Sequence, residues 1–144
     1  MRLSTRSRYG TRLMLELAFN YNKGNTSLKD IAKKEGISEK YLGQLVIPLK
    51  SRGLIISSRG ANGGYRLAKN PSLITIKEIV QALEGSVNLV ECVNNPSVCK
   101  RTSNCPVRNV WEMIDEQISK TLSSISLEDL VSSRLNKAKI KEYV

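Results

Sequence analysis

The sequence predicts a mainly α chain carrying one small β-hairpin. Three observations support that class. Apolar residues recur at three- and four-residue spacing over most of the chain, the signature of helices with one buried face. A single stretch breaks that rhythm: Leu54-Ile55-Ile56 reads as a strand, Gly60 to Gly64 as a turn, and Tyr65-Arg66-Leu67 as the return strand. The charge is also lopsided. Of a net +10, residues 1–84 carry 15 Lys/Arg against 6 Asp/Glu, and residues 85–144 carry 8 against 7.

The first helix is expected from about Ser7 to Asn22, with Tyr9, Leu13, Met14, Leu17, Ala18 and Tyr21 on its buried stripe. Arg2, Arg6, Arg8 and Arg12 crowd its start, where a helix prefers anions. They are either solvated or placed to meet a phosphate backbone. Lys23-Gly24-Asn25 is a turn. Thr26 or Ser27 then caps a short helix that buries Leu28, Ile31 and Ala32 and stops at Gly36. Ser38 caps the next helix. Tyr41, Leu42, Leu45, Val46 and Leu49 form its buried face, and Gly53 ends it. Pro48 should kink or tighten its last turn, because proline removes a backbone donor and crowds the carbonyl of Gln44. Two helices joined by a tight glycine turn over roughly residues 27–51, followed by a hairpin over about 54–68, have the layout of a winged helix-turn-helix.

That layout makes double-stranded DNA the expected partner. Gln44 can pair with adenine, and Lys40 can reach guanine or a phosphate. The expected contact set is Ser38, Glu39, Lys40, Tyr41, Gln44 and Lys50 from the helix, with Arg59, Gly60, Asn62 and Gly63 from the hairpin tip. After the loop at Asn70-Pro71-Ser72, Thr75 and Glu78 form a capping box for a helix through Glu84, with Ile76, Ile79, Val80 and Leu83 inward. Gly85 closes this DNA-binding unit, residues 1–85.

Residues 86–105 form a polar loop that holds every cysteine of the chain, Cys92, Cys99 and Cys105, spaced C-x6-C-x5-C. A loop this polar has no core in which to bury a thiol, so clustered cysteines there point to thiolate ligation or redox sensing. Soft thiolates suit zinc or an iron–sulfur centre. A fourth ligand is missing, since the chain has no histidine. Glu91, Asn104, Glu112, a side chain of a second subunit or a small molecule are the candidates. Lys100, Arg101 and Arg108 would surround such a centre and offset its negative charge.

Pro106 suits the first turn of a long helix. Val107, Trp111, Ile114, Ile118, Leu122 and Ile125 form an apolar seam along it. A domain of this size has little surface left to cover that seam, so a homodimer interface is expected, with packing on its own domain as the alternative. Ser126 caps a last short helix to about Arg134, and residues 135–144 form a basic tail. No stretch is long and apolar enough to span a bilayer, and the start lacks a signal-peptide apolar region. A cytoplasmic protein is expected, and an odd number of cysteines argues against a disulfide framework.

Several of these stretches resemble the Rrf2 family of bacterial winged-helix regulators: MRLSTRSRYG, SLKDIAKKEGISEKYLGQLV, GLIISSRGANGGYRLA, IKEIVQALEG, the three-cysteine loop and SLEDL. The resemblance covers essentially the whole chain. It implies a homodimer whose recognition helices enter successive major grooves. It also implies cluster ligation by Cys92, Cys99 and Cys105, as in members that regulate iron–sulfur assembly genes, usually with a 2Fe–2S cluster. This chain departs from those members in three ways. It has six residues instead of five between the first two cysteines, Arg108 where they have a ligating histidine, and Gly43 where they often have glutamate. Arg8 stands where other members supply an acidic ligand from the second subunit. The expected function is a transcriptional repressor of iron–sulfur assembly genes. The alternatives are a nitric-oxide- or cysteine-metabolism-responsive regulator and, in another class, a zinc-stabilised adaptor. No nucleophile–base pair or phosphate loop suggests an enzyme.

Overall fold

The computed structural model describes residues 2–135. Helix α1 (Thr5–Phe19) leads into α2 (Leu28–Glu35) and α3 (Glu39–Ser51), then the hairpin β1 (Ile55–Ser58) and β2 (Gly64–Leu67). Helix α4 (Ile76–Glu84), a short α5 (Glu91–Asn94), the long α6 (Pro106–Ser124) and α7 (Leu127–Leu135) complete the chain. Beyond Leu135, the expected basic tail lies outside the described residues. None of the described helices is long and apolar enough to cross a membrane.

Helix α1 starts two residues before the expected Ser7, because Ser4 caps it, and it ends at Phe19 with Asn20 as its C-terminal cap. Ser7 is buried, and its hydroxyl donates to Glu84 Oε1 at 2.6 Å. The same carboxylate accepts from the Ser4 amide at 3.2 Å and from the Ser4 hydroxyl. A carboxylate at the start of α1 complements the helix dipole. The Ser4 and Ser7 hydroxyls hold the Glu84 carboxyl below its ordinary pKa. Gly10 lets α1 settle against Leu83, where a Cβ would collide with the leucine methyl. Glu16, buried in the middle of α1, pairs with Lys34 Nζ at 2.6 Å.

The helix-turn-helix follows from its caps. Ser27 accepts from Asp30 N–H at 3.1 Å, Gly36 takes the left-handed conformation at φ 66°, and Ser38 accepts from Tyr41 N–H at 3.0 Å. Pro48 does not break α3. The Arg52 N–H still reaches the Pro48 carbonyl at 3.1 Å. Gly53 N–H to Lys50 O and Leu54 N–H to Leu49 O, each at 3.0 Å, then close a Schellman motif.

The hairpin pairs Ile55 with Leu67 and Ser58 with Gly64. Its first strand begins one residue later than expected and runs on to Ser58. A third backbone segment joins it: Thr26 and Tyr65 exchange N–H···O bonds of 2.8 and 2.9 Å. Gly64, at φ 140°, fits this junction because a Cβ would lie 2.6 Å from the Thr26 carbonyl.

The expected capping box at Thr75 and Glu78 is present, with bonds of 2.9 and 3.2 Å. The core does not finish at Gly85. After α6 the chain returns beside α4, with Ile76 N–H to Ile125 O and Leu127 N–H to Ile74 O both at 2.9 Å. Leu127 is fully buried in the cluster built from Leu13, Leu17, Leu42, Leu49 and Ile79. The last helix, grouped by sequence with the dimerisation helix, is thus part of the N-terminal packing.

Candidate functional site

Helix α3 presents two faces. Leu42, Leu45, Val46 and Leu49 are buried, while Glu39, Lys40, Gln44, Ile47 and Lys50 are exposed. Tyr41, expected both on the buried face and in the contact set, is half-buried. Its ring meets Tyr9 edge-on at 5.9 Å, and its hydroxyl lies 3.1 Å from Thr5 Oγ1. It therefore ties the start of α3 to α1 and sets the orientation of the helix. Lys50 is engaged as well: its ammonium donates to Ser57 Oγ at 2.6 Å, linking α3 to β1. Lys40 and Gln44 remain exposed on the outer face, with Ser38 at its start.

The hairpin tip is held just as firmly. Gly63 N–H closes onto Gly60 O at 2.9 Å, and a Cβ on Gly63 would lie 2.5 Å from Ser58 O. Gly60, at φ 101°, faces open space. Asn25 Nδ2 donates to the Asn62 carbonyl at 2.8 Å, and Arg66 Nη1 donates to Ser58 Oγ at 3.0 Å and to Asn25 Oδ1 at 3.3 Å. Arg59, Gly60 and Asn62 are thereby presented, exposed, on a braced loop. The Asn25 brace is not legible in the sequence, because a side chain 37 positions away shares no local pattern with the turn.

The arginines at the start of α1 divide. Arg12 grips Glu35 through Nε at 2.8 Å and through its salt bridge at 2.6 Å, and Arg6 Nε donates to the Leu83 carbonyl at 3.2 Å. Arg2 and Arg8 are exposed.

The cysteine segment is better ordered than its composition suggests. Cys92 lies in α5, Cys99 follows a 3₁₀ turn at Pro96–Val98, and Cys105 sits at the cap position of α6. Asn95 Oδ1 accepts from Ser97 N–H at 3.3 Å, which starts the first of these turns. Arg108 fastens α5 to α6. It donates to the Cys92 carbonyl at 3.2 Å and the Val93 carbonyl at 3.4 Å, and pairs with Glu112 at 3.4 Å. It thus contacts backbone oxygens, and Glu112, one candidate fourth ligand, is its counter-ion. Asp115 Oδ1 accepts from Leu89 N–H at 2.9 Å and anchors the segment's start.

By chemistry these residues fit a thiolate-held metal group. All three thiols are free, Cys99 is exposed and the other two are half-buried. By position they are not yet gathered: among the described residues no three His, Cys, Asp or Glu side chains converge on a metal position. No residue from Glu84 to Ser126 is fully buried, so the segment can rearrange without opening the core.

Helix α6 contains no fully buried residue. Its N-terminal half exposes Val107 and Met113, at 54% and 59%, together with Val110 and Trp111. Ile114, Ile118 and Leu122 are half-buried; Ile118 and Leu122 line a groove of about 610 Å³ beside Val87 and Leu89. The uncovered stripe is therefore wider at the start of α6 than the single expected seam and includes Val110 and Met113, while its far half leans on the chain's own segment.

Comparison with known proteins gives a consistent picture. A protein-family model described as "Rrf2: Iron-dependent Transcriptional regulator" matches residues 3–133. The chain is 42% identical over 132 residues to the HTH-type transcriptional regulator CymR of Bacillus subtilis, covering 92% of this chain and 91% of that one. It is 37% identical over 134 residues to the HTH-type transcriptional regulator IscR of Photorhabdus laumondii, covering 93% and 81%. The solved structure of CymR, described as the global cysteine regulator of B. subtilis, is similar with a TM-score of 0.77 at 41% identity, covering 92% and 97%. That of T. potens IscR gives 0.76 at 36% identity, covering 93% and 88%.

Proposed function

The chain belongs to the Rrf2 family of transcriptional regulators, and from that premise we propose that it works as a homodimeric, iron–sulfur-responsive repressor of iron–sulfur assembly genes in the cytoplasm. Its relatives are named regulators, not enzymes. The observation that carries the DNA-binding part is the pairing of two exposed elements at a fixed separation. Lys40 and Gln44 on α3, and Arg59 and Gly60 on the hairpin, are exposed, and Lys50 bonded to Ser57 holds helix and hairpin together. An exposed helix face suits a major groove, and a basic tip suits a minor groove or phosphates.

In this reading Cys92, Cys99 and Cys105 would hold the cluster, and the fourth ligand comes from a carboxylate, a second subunit or a small molecule. When bound, the cluster supplies a group whose presence depends on iron and on redox state. The chain's own residues provide the coupling. Arg108 and Asp115 join the cysteine segment to α6, and α6 leads through Ile125 back to α4. A change in how the segment sits on α6 thereby alters the placement of the two reading heads, and such a change shifts DNA affinity only by its differential stability in the two geometries.

A second reading, regulation of cysteine metabolism without a cluster, is favoured by one observation. Arg108 occupies the expected histidine position and is committed to the Cys92 and Val93 carbonyls. Iron and sulfide analysis of anaerobically purified protein separates the two readings.

The DNA-binding part is tested by fluorescence anisotropy on duplex pools. Affinity should fall by about 10³-fold as salt rises from about 50 to about 200 mM, the release expected for six or more neutralised phosphates. No retention at low salt, with or without iron, would overturn the proposal.

A further inference from the structure

Resting on the DNA-binding reading above, we infer that Ile47 is a specificity residue of the reading helix, packing against the C5-methyl of a thymine in the major groove. Among the described residues Ile47 is the most exposed large apolar side chain, at 69%. A lone exposed apolar residue is ordinary on a protein surface, but its place on α3 is not arbitrary. Seven residues beyond Lys40 is two helical turns less about 20°, so Ile47 stands directly behind Lys40 on the outward line of the helix. Gln44 lies on one side of that line and Gly43 on the other. Leu42, Leu45, Val46 and Leu49, all buried, occupy the opposite face. The core therefore has no use for Ile47, and no neighbouring element covers it.

Gly43 strengthens the case. It sits one turn before Ile47, and a Cβ there would meet nothing within 4 Å. Neither packing nor a positive φ demands glycine at this position. Its effect is to leave the outer face bare beside Gln44, so the helix axis can approach the base edges and the branched side chain of Ile47 can reach the groove floor. In the major groove, thymine is the one standard base with an apolar marker, its C5-methyl, and aliphatic side chains read it by contact. Gln44 pairing with adenine and Ile47 touching a thymine methyl would together select an A·T-containing step, while Lys40 holds a guanine or a phosphate.

The test uses a duplex enriched by the full-length protein from a randomised pool. Each thymine of the half-site is replaced singly by deoxyuridine, which removes only the methyl group. At one thymine per half-site, wild-type affinity should drop about four-fold, the worth of one buried methyl group, and about fifteen-fold when both half-sites are changed. Ile47→Ser should bind the unmodified duplex more weakly by a similar factor and be indifferent to that deoxyuridine. Its melting temperature should match wild type, because the residue is solvent-exposed. Wild-type affinity unmoved by every deoxyuridine, or Ile47→Ser as sensitive as wild type, overturns the inference while leaving DNA binding intact. If the pool yields no enriched duplex, the DNA-binding reading fails and this inference falls with it.

Discussion

Trp111→Glu should convert the protein to a monomer and weaken duplex binding by about a hundred-fold or more. Val107, Val110, Trp111 and Met113 form an uncovered apolar stripe on the first half of α6, and no residue of that helix is fully buried. Pairing two such stripes removes them from water at about 25 cal/mol per Å² of apolar surface. A carboxylate at the centre of the pair would be desolvated without a partner, which costs several kcal/mol. In the single chain Trp111 is 36% exposed, so the carboxylate can reach water while the covered part of the indole loses its packing, and a modest fall in melting temperature should accompany the loss of pairing. Losing the second reading head forfeits the avidity of a linked pair, about 10²–10⁴. Sedimentation velocity and anisotropy measure both effects on one preparation. A variant that stays dimeric with unchanged affinity would show that the pairing surface lies elsewhere.

Cys92→Ala should abolish cluster loading altogether. Iron and acid-labile sulfide should fall to background in anaerobic preparations, and the visible absorption should disappear with them. Removing one of three thiolates leaves too few soft donors to hold such a centre, and no histidine exists to substitute. The substitution is mild for folding, since Cys92 is half-buried and its local anchor, the Arg108 bond, goes to its carbonyl and not its sulfur. Far-UV circular dichroism should therefore be unchanged. Full iron and sulfide content in the variant would remove Cys92 from the ligand set.

Much of the fold was legible because its determinants are local. Ser27, Gly36, Ser38 and Gly53 announce their helix ends within a few residues, and each does what its chemistry suggests. The capping box at Thr75 and Glu78 is legible for the same reason. What escaped depends on distant partners. The return of Ile125 and Leu127 to Ile74 and Ile76 joins segments about fifty residues apart, and no periodicity encodes it. Tyr41 reads both as part of the buried face and as a groove contact, and its partners Tyr9 and Thr5, on another helix, leave no local sign. Pro48 belongs with the local signals: it falls near the end of α3, and the turn after it closes with the short Gly53 N–H to Lys50 O bond.

The candidate site divides along the same line. Lys40, Gln44 and the glycine turn could be read directly, because helix phase and glycine content place them on the surface. The phase of Ile47 likewise sets it opposite the buried stripe, but its apolar side chain argues for the core, and only its exposure decides between the two. The cysteine spacing was visible, but Arg108 spanning α5 and α6 was not: one guanidinium reaching two carbonyls leaves no trace in composition.

The most direct test of the whole account is a pair of binding isotherms on one enriched duplex, anaerobically, for iron-loaded and iron-stripped protein. The curves should be displaced by about ten-fold, within the usual span of coupling between two sites. Cys92→Ala should follow the iron-stripped curve whatever iron is supplied. Superimposed isotherms for the loaded and stripped forms would contradict the claim that the cysteine segment governs the reading heads.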